Sequence, residues 1–179
     1  GSHLELHSGS IEGGWGKNVT GNLHCSGTFT MTGGTVSGGT AKGAGKNTEP
    51  SGGNISLLGS SAKVELGGNG SIKDGASYHT AGNIRISSGG IFVIRDNASV
   101  SGGMMSNSKG DTSKALSQNS SSANIFNNGG TIEFYGGTID GNVNVINASA
   151  SNASVIKMAG NPVITKGVSG YGLPSNYTA

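Results

Sequence analysis

The sequence predicts an all-β protein, a single-stranded parallel β-solenoid of about six three-strand coils. The clearest unit is residues 124–141, which divide into three short strands separated by Gly-rich corners. Thirty-five of the 179 residues are glycine, as frequent sharp turns require. Insertions in the other units follow the third strand, so we expect the loops to leave one edge of the solenoid.

Each coil is expected to begin with an asparagine that follows Gly or Ala. Equivalent residues of successive coils should stack about 4.8 Å apart. The asparagine side chains should therefore form a ladder of hydrogen-bonded amides, as stacked Asn residues do in cross-β assemblies. The predicted members are Asn22, Asn54, Asn83, Asn124 and Asn142.

Apolar alternation within the strands predicts three buried columns. In the first strands, the residues predicted to face inward are Leu23, Ile55, Ile84, Ile125 and Val143. The second strands are residues 29–31, 64–66, 92–94, 132–134 and 155–157, with Val155 inward in the last. The third strands place inward Val36, Ile72, Val100, Ile139 and Ile164. A further coil is expected before Asn22, in which residues 13–21 match residues 67–75.

The chain divides into three expected segments. Residues 1–3 have the character of a cloning remnant, and residues 4–167 carry the β-helix pattern. Residues 168–179 lose the pattern and are expected to form a C-terminal cover or linker. We also expect the chain to be part of a longer one.

Composition argues against several classes of function. The net charge is only +2 and no run of Lys or Arg occurs, so we expect no nucleic-acid partner. No apolar stretch is long enough for a membrane-spanning helix, so we expect no membrane insertion. The histidines are spread over different coils, so we expect no metal site. No phosphate-binding Gly loop is present, and we expect no cofactor. The single cysteine, Cys25, is predicted to be a small core residue.

The insertions are the predicted binding edge. Residues 40–53, 76–82 and 104–123 follow the third strands of successive coils, and loops on one edge of a solenoid often form its binding face. Their cations, imidazole and ring suit hydroxyl-rich or mildly anionic glycans. The candidate binding residues are Lys42, Lys46, Tyr78, His79, Lys109 and Lys114.

Outward aromatic side chains are further candidates for sugar contact. Phe126 and Tyr135 are expected to face outward on adjacent sides of one coil, and Trp15 is expected at a corner. The alternative is that such rings cover inserted loops.

One pair of carboxylates could serve an enzyme. Glu65 and Glu133 should lie two coils apart in one outward column, roughly 9.6 Å at the strand spacing. That is close to the upper limit for an inverting glycosidase, about 9.5 Å. The alternative is two solvated carboxylates beside basic neighbours.

Two sequence segments resemble those of a known family: GTFTMTGGTVSGG and GGTIEFYGGTIDGNV. They resemble the Gly-rich repeats of right-handed parallel β-helix proteins, especially bacterial adhesin-like surface proteins and, more distantly, the pectate-lyase-like superfamily. The resemblance covers residues 3 to 167 and implies a secreted or cell-surface bacterial protein that contacts surface polysaccharide, host glycan or host protein. We therefore expect a non-enzymatic adhesin-like or carbohydrate-binding segment. The alternatives are a polysaccharide-cleaving enzyme and a purely structural spacer.

Overall fold

The computed structural model describes residues 1–17, 19–42, 51–78, 80–106, 115–118, 123–146 and 153–171. All regular elements in these residues are β-strands. Within the same ranges, no helix is long and apolar enough to cross a membrane. The predicted all-β class is confirmed.

The strands form four sheets, and every pairing between named strands is parallel. Sheet 1 contains Leu23–Cys25, Ile55–Leu58, Ile84–Ser87, Ile125–Asn128, Val143–Ile146 and Val168–Tyr171. Sheet 2 contains His3–Leu6, Thr28–Met31, Lys63–Leu66, Ile91–Ile94, Thr131–Phe134 and Val155–Met158. Sheet 3 contains Ser10–Glu12, Thr35–Ser37, Ser71–Lys73, Ser99–Ser101, Thr138–Ile139 and Val163–Ile164. Sheet 4 contains Trp15–Gly16, Thr40–Ala41, Ala76–Ser77 and Met104–Met105.

Successive passages of the chain through these sheets stack in register. In sheet 1, Ile84 pairs with Ile55 on one side and with Ile125 on the other. In sheet 3, Ile72 pairs in the same way with Val36 and Val100. The predicted inward columns of the first and third strands are confirmed, and this regular stacking is compatible with a parallel β-helix.

The core is a set of apolar columns with large and small members interleaved. In sheet 2, Phe29 pairs with Val64, and Val64 with Phe92. All three side chains are fully or almost fully buried. Cys25 belongs to the same core, as predicted, with only 6% of its surface exposed. Thin cores of this kind stabilise a repeat protein because each unit buries its apolar face on the next.

Sheet 4 corrects the prediction of three strands per coil. Its strands are two residues long, and three of them, Thr40–Ala41, Ala76–Ser77 and Met104–Met105, lie where the insertions were expected to begin. Trp15 pairs with Thr40, and Ile11 pairs with Val36. The expected match of residues 13–21 to residues 67–75 is therefore wrong, because Ile11, which precedes that segment, occupies the column of Ile72.

Sheet 4 ends at Met104–Met105. Met105 forms an antiparallel bridge with Ser117, in which each backbone N–H donates to the other residue's carbonyl at 3.0 Å. In the following unit, Gly141 leads directly to Asn142, whose neighbour Val143 begins a strand of sheet 1. Ser117, a later residue of the insertion at residues 104–123, thus pairs with the last strand of sheet 4.

Two differences occur near the C-terminal end. Ile132 pairs with Ile156, so the inward residue of the last sheet 2 strand is Ile156 and the predicted inward Val155 is wrong by one residue. Val155 is exposed and Ile156 packs against the core. Val168–Tyr171 is a strand of sheet 1, so pairing continues past residue 167, where we expected the pattern to end.

Four of the five asparagines are joined by side-chain hydrogen bonds. Each Nδ2 donates to the Oδ1 of the next at 2.7 Å, in the order Asn22, Asn54, Asn83 and Asn124. Each Oδ1 also accepts from the N–H of a corner glycine, at Gly14, Gly39, Gly75 and Gly103 respectively. We name these four residues the asparagine row. Asn142 immediately precedes the next strand of sheet 1, but no side-chain hydrogen bond joins Asn124 to it, so the row in the described residues has four members and not the predicted five.

Candidate functional site

The insertion edge brings together a tryptophan, a lysine and a tyrosine. Trp15 is 58% exposed, and Lys42 Nζ lies 5.7 Å from the centroid of its ring, within the range of a cation–π contact. Tyr78 donates its backbone N–H to Ala41. Tyr78 therefore lies one unit beyond Lys42 at the exit of sheet 4. The predicted residues Lys46, His79, Lys109 and Lys114 lie outside the described residues.

The two candidate catalytic carboxylates lie as the register predicted. Val93 pairs with Glu65 on one side and with Glu133 on the other. Two strand spacings, about 9.6 Å, separate the backbones at these two residues. Glu65 forms ion pairs with Lys63 and, at 3.9 Å, with Arg95. Lys157 Nζ lies 3.0 Å from Glu133 Oε1.

These ion pairs determine what the carboxylates can do. The hydrogen bond from Lys63 lowers the pKa of Glu65 and outweighs its partial burial, and the charges of Lys63 and Arg95 lower it further. A glycosidase needs a general acid whose pKa is raised, so that it carries a proton near neutral pH. Glu65 has the opposite environment. Both carboxylates are ion-paired to cations on the same sheet face, and Glu65 lacks the raised pKa that a general acid needs.

The two outward aromatic candidates have different surroundings. Phe126 is half-buried on sheet 1, in register between Arg85 and Asn144. Tyr135 follows sheet 2 and is 44% exposed. Tyr135 is the candidate that lines a groove, whereas Phe126 lies on a strand face.

The groove lies at the corner between sheets 2 and 3. Its volume is about 660 Å³, and it is open to solvent. It crosses three successive corners of the chain, near residues 96, 136 and 160, which parallel stacking aligns. The lining residues are Asp96, Asn97, Tyr135, Gly136, Gly137, Thr138, Gly160, Asn161 and Val163.

Backbone geometry positions the carboxylate in this groove. Asp96 adopts a left-handed conformation with φ 60°, and its Oδ2 accepts the N–H of Gly68 at 2.8 Å. A Cβ at Gly136 would lie 3.1 Å from both the backbone N and O of Asp96. Glycine at 136 therefore lets the chain after Tyr135 approach the turn at Asp96, which sets the ring and the carboxylate in one groove.

The arrangement offers a surface for stacking and groups for hydrogen bonding. The tyrosine ring presents a flat apolar face, while Asp96, Asn97 and Asn161 present carboxylate and amide groups. Among the groove residues, the sequence pointed only to Tyr135, because that residue is aromatic and was expected to face outward. The others could have been found by aligning the corners between the second and third strands. The apolar columns lie within the strands and give no signal at these corners.

Metal ligands are not arranged for coordination in the described residues. Within those ranges, no group of three or more His, Cys, Asp or Glu side chains is placed so that it could hold a metal ion. Near the N-terminus, Glu5 is hydrogen-bonded to His3 and His7 at 2.8 and 2.9 Å, and His7 Nδ1 lies 2.8 Å from Thr32 Oγ1. These four side chains are exposed, and the two imidazoles bond to different oxygens of the one carboxylate.

No family model, curated protein or solved structure matches the chain.

Proposed function

We propose that this chain is a non-enzymatic, carbohydrate-binding or adhesin-like segment with the fold of a right-handed, single-stranded parallel β-helix. The observation that carries the proposal is the groove at the corner of sheets 2 and 3, where Tyr135 lies with Asp96 and Asn161. A half-exposed ring beside a carboxylate and amides is the combination that stacks on a sugar and binds its hydroxyls.

The rigidity of the scaffold supports this proposal. The groove is built on corners between strands whose inward side chains, such as Phe92 and Phe134, are buried, and Asp96 is tied to the preceding corner through Gly68. A site held on a rigid scaffold loses little conformational entropy on binding. The ion pairs of Glu65 and Glu133 make the enzymatic alternative weaker, since neither carboxylate lies free to act on a glycosidic bond.

The insertion edge offers a second contact surface. Trp15, Lys42 and Tyr78 line the exit of sheet 4, and together they present two rings and a cation. Hydroxyl-rich or mildly anionic polymers suit such a surface. In this proposal the protein is secreted or displayed on a bacterial cell surface, and its partner is a surface polysaccharide, a host glycan or a host protein.

A glycan array with the intact chain tests the proposal, with two variants that separate the surfaces. Tyr135→Ala should weaken binding about tenfold, whereas Tyr135→Phe keeps the ring and should retain most of the affinity. Trp15→Ala should have a smaller effect if the groove is the main site. Absence of binding to every glycan and host protein would favour the spacer alternative.

A deletion that leaves sheet 4 intact tests whether the insertion at residues 104–123 contributes to binding. Met104, Met105 and Ser117 belong to the edge of that sheet. We therefore suggest removing only residues 107–114. Equal binding by the deletion variant and the intact chain would remove this insertion from the proposed binding surface.

The enzymatic alternative has its own test. Release of reducing ends or unsaturated sugars from a polysaccharide panel, lost in Glu133→Gln, would replace the non-enzymatic proposal. The ion pair with Lys157 makes us expect no such release.

A further inference from the structure

A second polar cavity lies where sheet 4 stops. Its volume is about 280 Å³, close to the lower limit of small-molecule sites, about 300 Å³. The cavity is lined on one side by Gly103, which precedes the last sheet 4 strand, and on the other by Asp140 and Gly141, where the next unit closes without such a strand. Gln118, Asn124 and Lys166 also line the cavity.

The asparagine row ends in this cavity. Nδ2 of Asn22, Asn54 and Asn83 each donates twice, to a carbonyl at the end of a sheet 3 strand and to the next asparagine. Nδ2 of Asn124 donates to the Asp140 carbonyl at 2.6 Å. Its second N–H has no acceptor among the described residues, although the residue is only 2% exposed. A buried amide with an unused donor lines the cavity.

Acceptor and donor groups surround that amide. Asp140 Oδ1 accepts from the Thr165 hydroxyl at 2.7 Å, which fixes the carboxylate and leaves Oδ2 for another donor. Thr165 Oγ1 in turn accepts the N–H of Gly141 at 2.9 Å. A Cβ at Gly141 would lie 2.2 Å from Asn124 Nδ2. Glycine at 141 thus leaves open the space beside the unused donor.

We propose that this cavity binds the acetamido group of an N-acetylated amino sugar. The acetamido carbonyl accepts the free N–H of Asn124, as Oδ1 of a further asparagine would do. The acetamido N–H donates to Asp140. The sugar hydroxyls meet the Lys166 ammonium and the Gln118 amide. The inference rests on the proposed carbohydrate binding but uses a cavity separate from the Tyr135 groove.

The chemistry distinguishes this ligand from its competitors. An acetamido group carries an acceptor and a donor on adjacent positions, like the carboxamides that make up the asparagine row. A carboxylate has no donor for Asp140 and is repelled by its charge. A sugar without the acetyl group offers only hydroxyls, in which donor and acceptor share one oxygen, so one hydroxyl cannot span Asn124 and Asp140 as an amide does.

Nuclear magnetic resonance of the side-chain amide tests the inference without mutation. Titration with N-acetylglucosamine or N-acetylgalactosamine should shift the Asn124 Nδ2 resonances saturably, while glucose, galactose and acetate should not. Absence of a shift with both N-acetyl sugars at millimolar concentrations would overturn the proposal. An equal or larger shift with acetate or with the parent sugars would overturn it as well.

Variants separate this site from the groove. Asp140→Ala should weaken the N-acetyl sugar about tenfold or more, whereas Glu12→Ala removes an exposed carboxylate of sheet 3 and should not. Tyr135→Ala should weaken groove binding about tenfold yet preserve the Asn124 shift. If Asp140→Ala fails to fold, Lys166→Ala should weaken binding relative to Lys73→Ala. Unchanged affinity in Asp140→Ala, or in Lys166→Ala where that variant is used, would overturn the proposal.

Discussion

Asn54 Nδ2 donates to Asn83 Oδ1 at 2.7 Å, and neither side chain is exposed to solvent. Asn54 uses all four hydrogen-bonding positions of its amide. Its Oδ1 accepts from Asn22 and Gly39, and its Nδ2 donates to the Lys73 carbonyl as well as to Asn83. A buried amide with all four positions hydrogen-bonded connects a corner, the end of a strand and two neighbouring units.

The first prediction concerns that amide. Asn54→Ala leaves a buried backbone N–H, a carbonyl and two asparagine side chains each without one partner. Unsatisfied buried groups cost about 1–3 kcal/mol each, so the free energy of unfolding should fall by about 3 kcal/mol or more. Urea unfolding followed by circular dichroism measures this change.

Asn69→Ala is the matched control, because Asn69 lies in a turn between two glycines, away from the asparagine row. Its free energy of unfolding should change by less than about 0.5 kcal/mol. Similar midpoints for the two variants would show that the asparagine row contributes little to stability.

The second prediction concerns pH. The pKa of Glu65 lies below its ordinary value of 4.5 because of the Lys63 hydrogen bond and the nearby positive charges. The unfolded chain therefore takes up this proton first as the pH falls. Stability from Glu65 is present above the unfolded pKa and is lost as the pH falls through the folded pKa.

Glu65→Gln should accordingly lower the free energy of unfolding at pH 7 by up to about 1 kcal/mol, since the pair is partly solvated. The difference between variant and parent should shrink as the pH falls below 4.5. Urea titrations at several pH values measure it, with exposed Glu12→Gln as the control. A difference that stays constant from neutral to acidic pH would contradict the proposed role of the ion pair.

Apolar alternation was enough to predict the columns of the core. Ile55, Ile84 and Ile125 each follow an asparagine and pair in register, because a slip of one residue would turn every apolar side chain outward. In the last strand of sheet 2, the alternation of apolar and polar residues does not fix the register. Val155, Ile156 and Met158 are all apolar, and only the pairing of Ile156 with Ile132 distinguishes them.

Sheet 4 and the Tyr135 groove could not be predicted by the same reasoning. Strands of two residues, such as Thr40–Ala41 and Ala76–Ser77, contain too few positions for alternation to appear. The groove depends on the left-handed turn at Asp96 and on residues about 40 and 65 positions apart in the chain, which come together only through parallel stacking. Tyr135 alone had a visible signal, its aromatic ring.

The third prediction concerns Cys25. Burial raises the pKa of the Cys25 thiol, and Sγ donates to the Gly27 carbonyl at 3.2 Å. Both the small exposed fraction and the low thiolate content slow reaction with a disulfide reagent. Native protein at neutral pH should react roughly a hundredfold more slowly than protein in concentrated urea. Equal rates in the two conditions would show that the core opens near Cys25.

The fourth prediction concerns the edge of sheet 4. The bridge between Met105 and Ser117 uses both backbone N–H groups, and it pairs a strand edge that no further sheet 4 strand covers in the described residues. Unpaired edges expose backbone groups that can pair with other chains. Within the insertion at residues 104–123, Ser117 therefore has a structural role in addition to any part in binding.

Ser117→Pro removes one of the two donors of this bridge, whereas Ser117→Ala retains both. The proline variant should lose amide-exchange protection at Met105 and unfold about 1 kcal/mol more easily. It should also aggregate more readily, because the edge of Met104–Met105 becomes available to another chain. The alanine variant should keep the protection at Met105. If the proline variant retained full protection there, the edge would have to be held by contacts other than the bridge to Ser117.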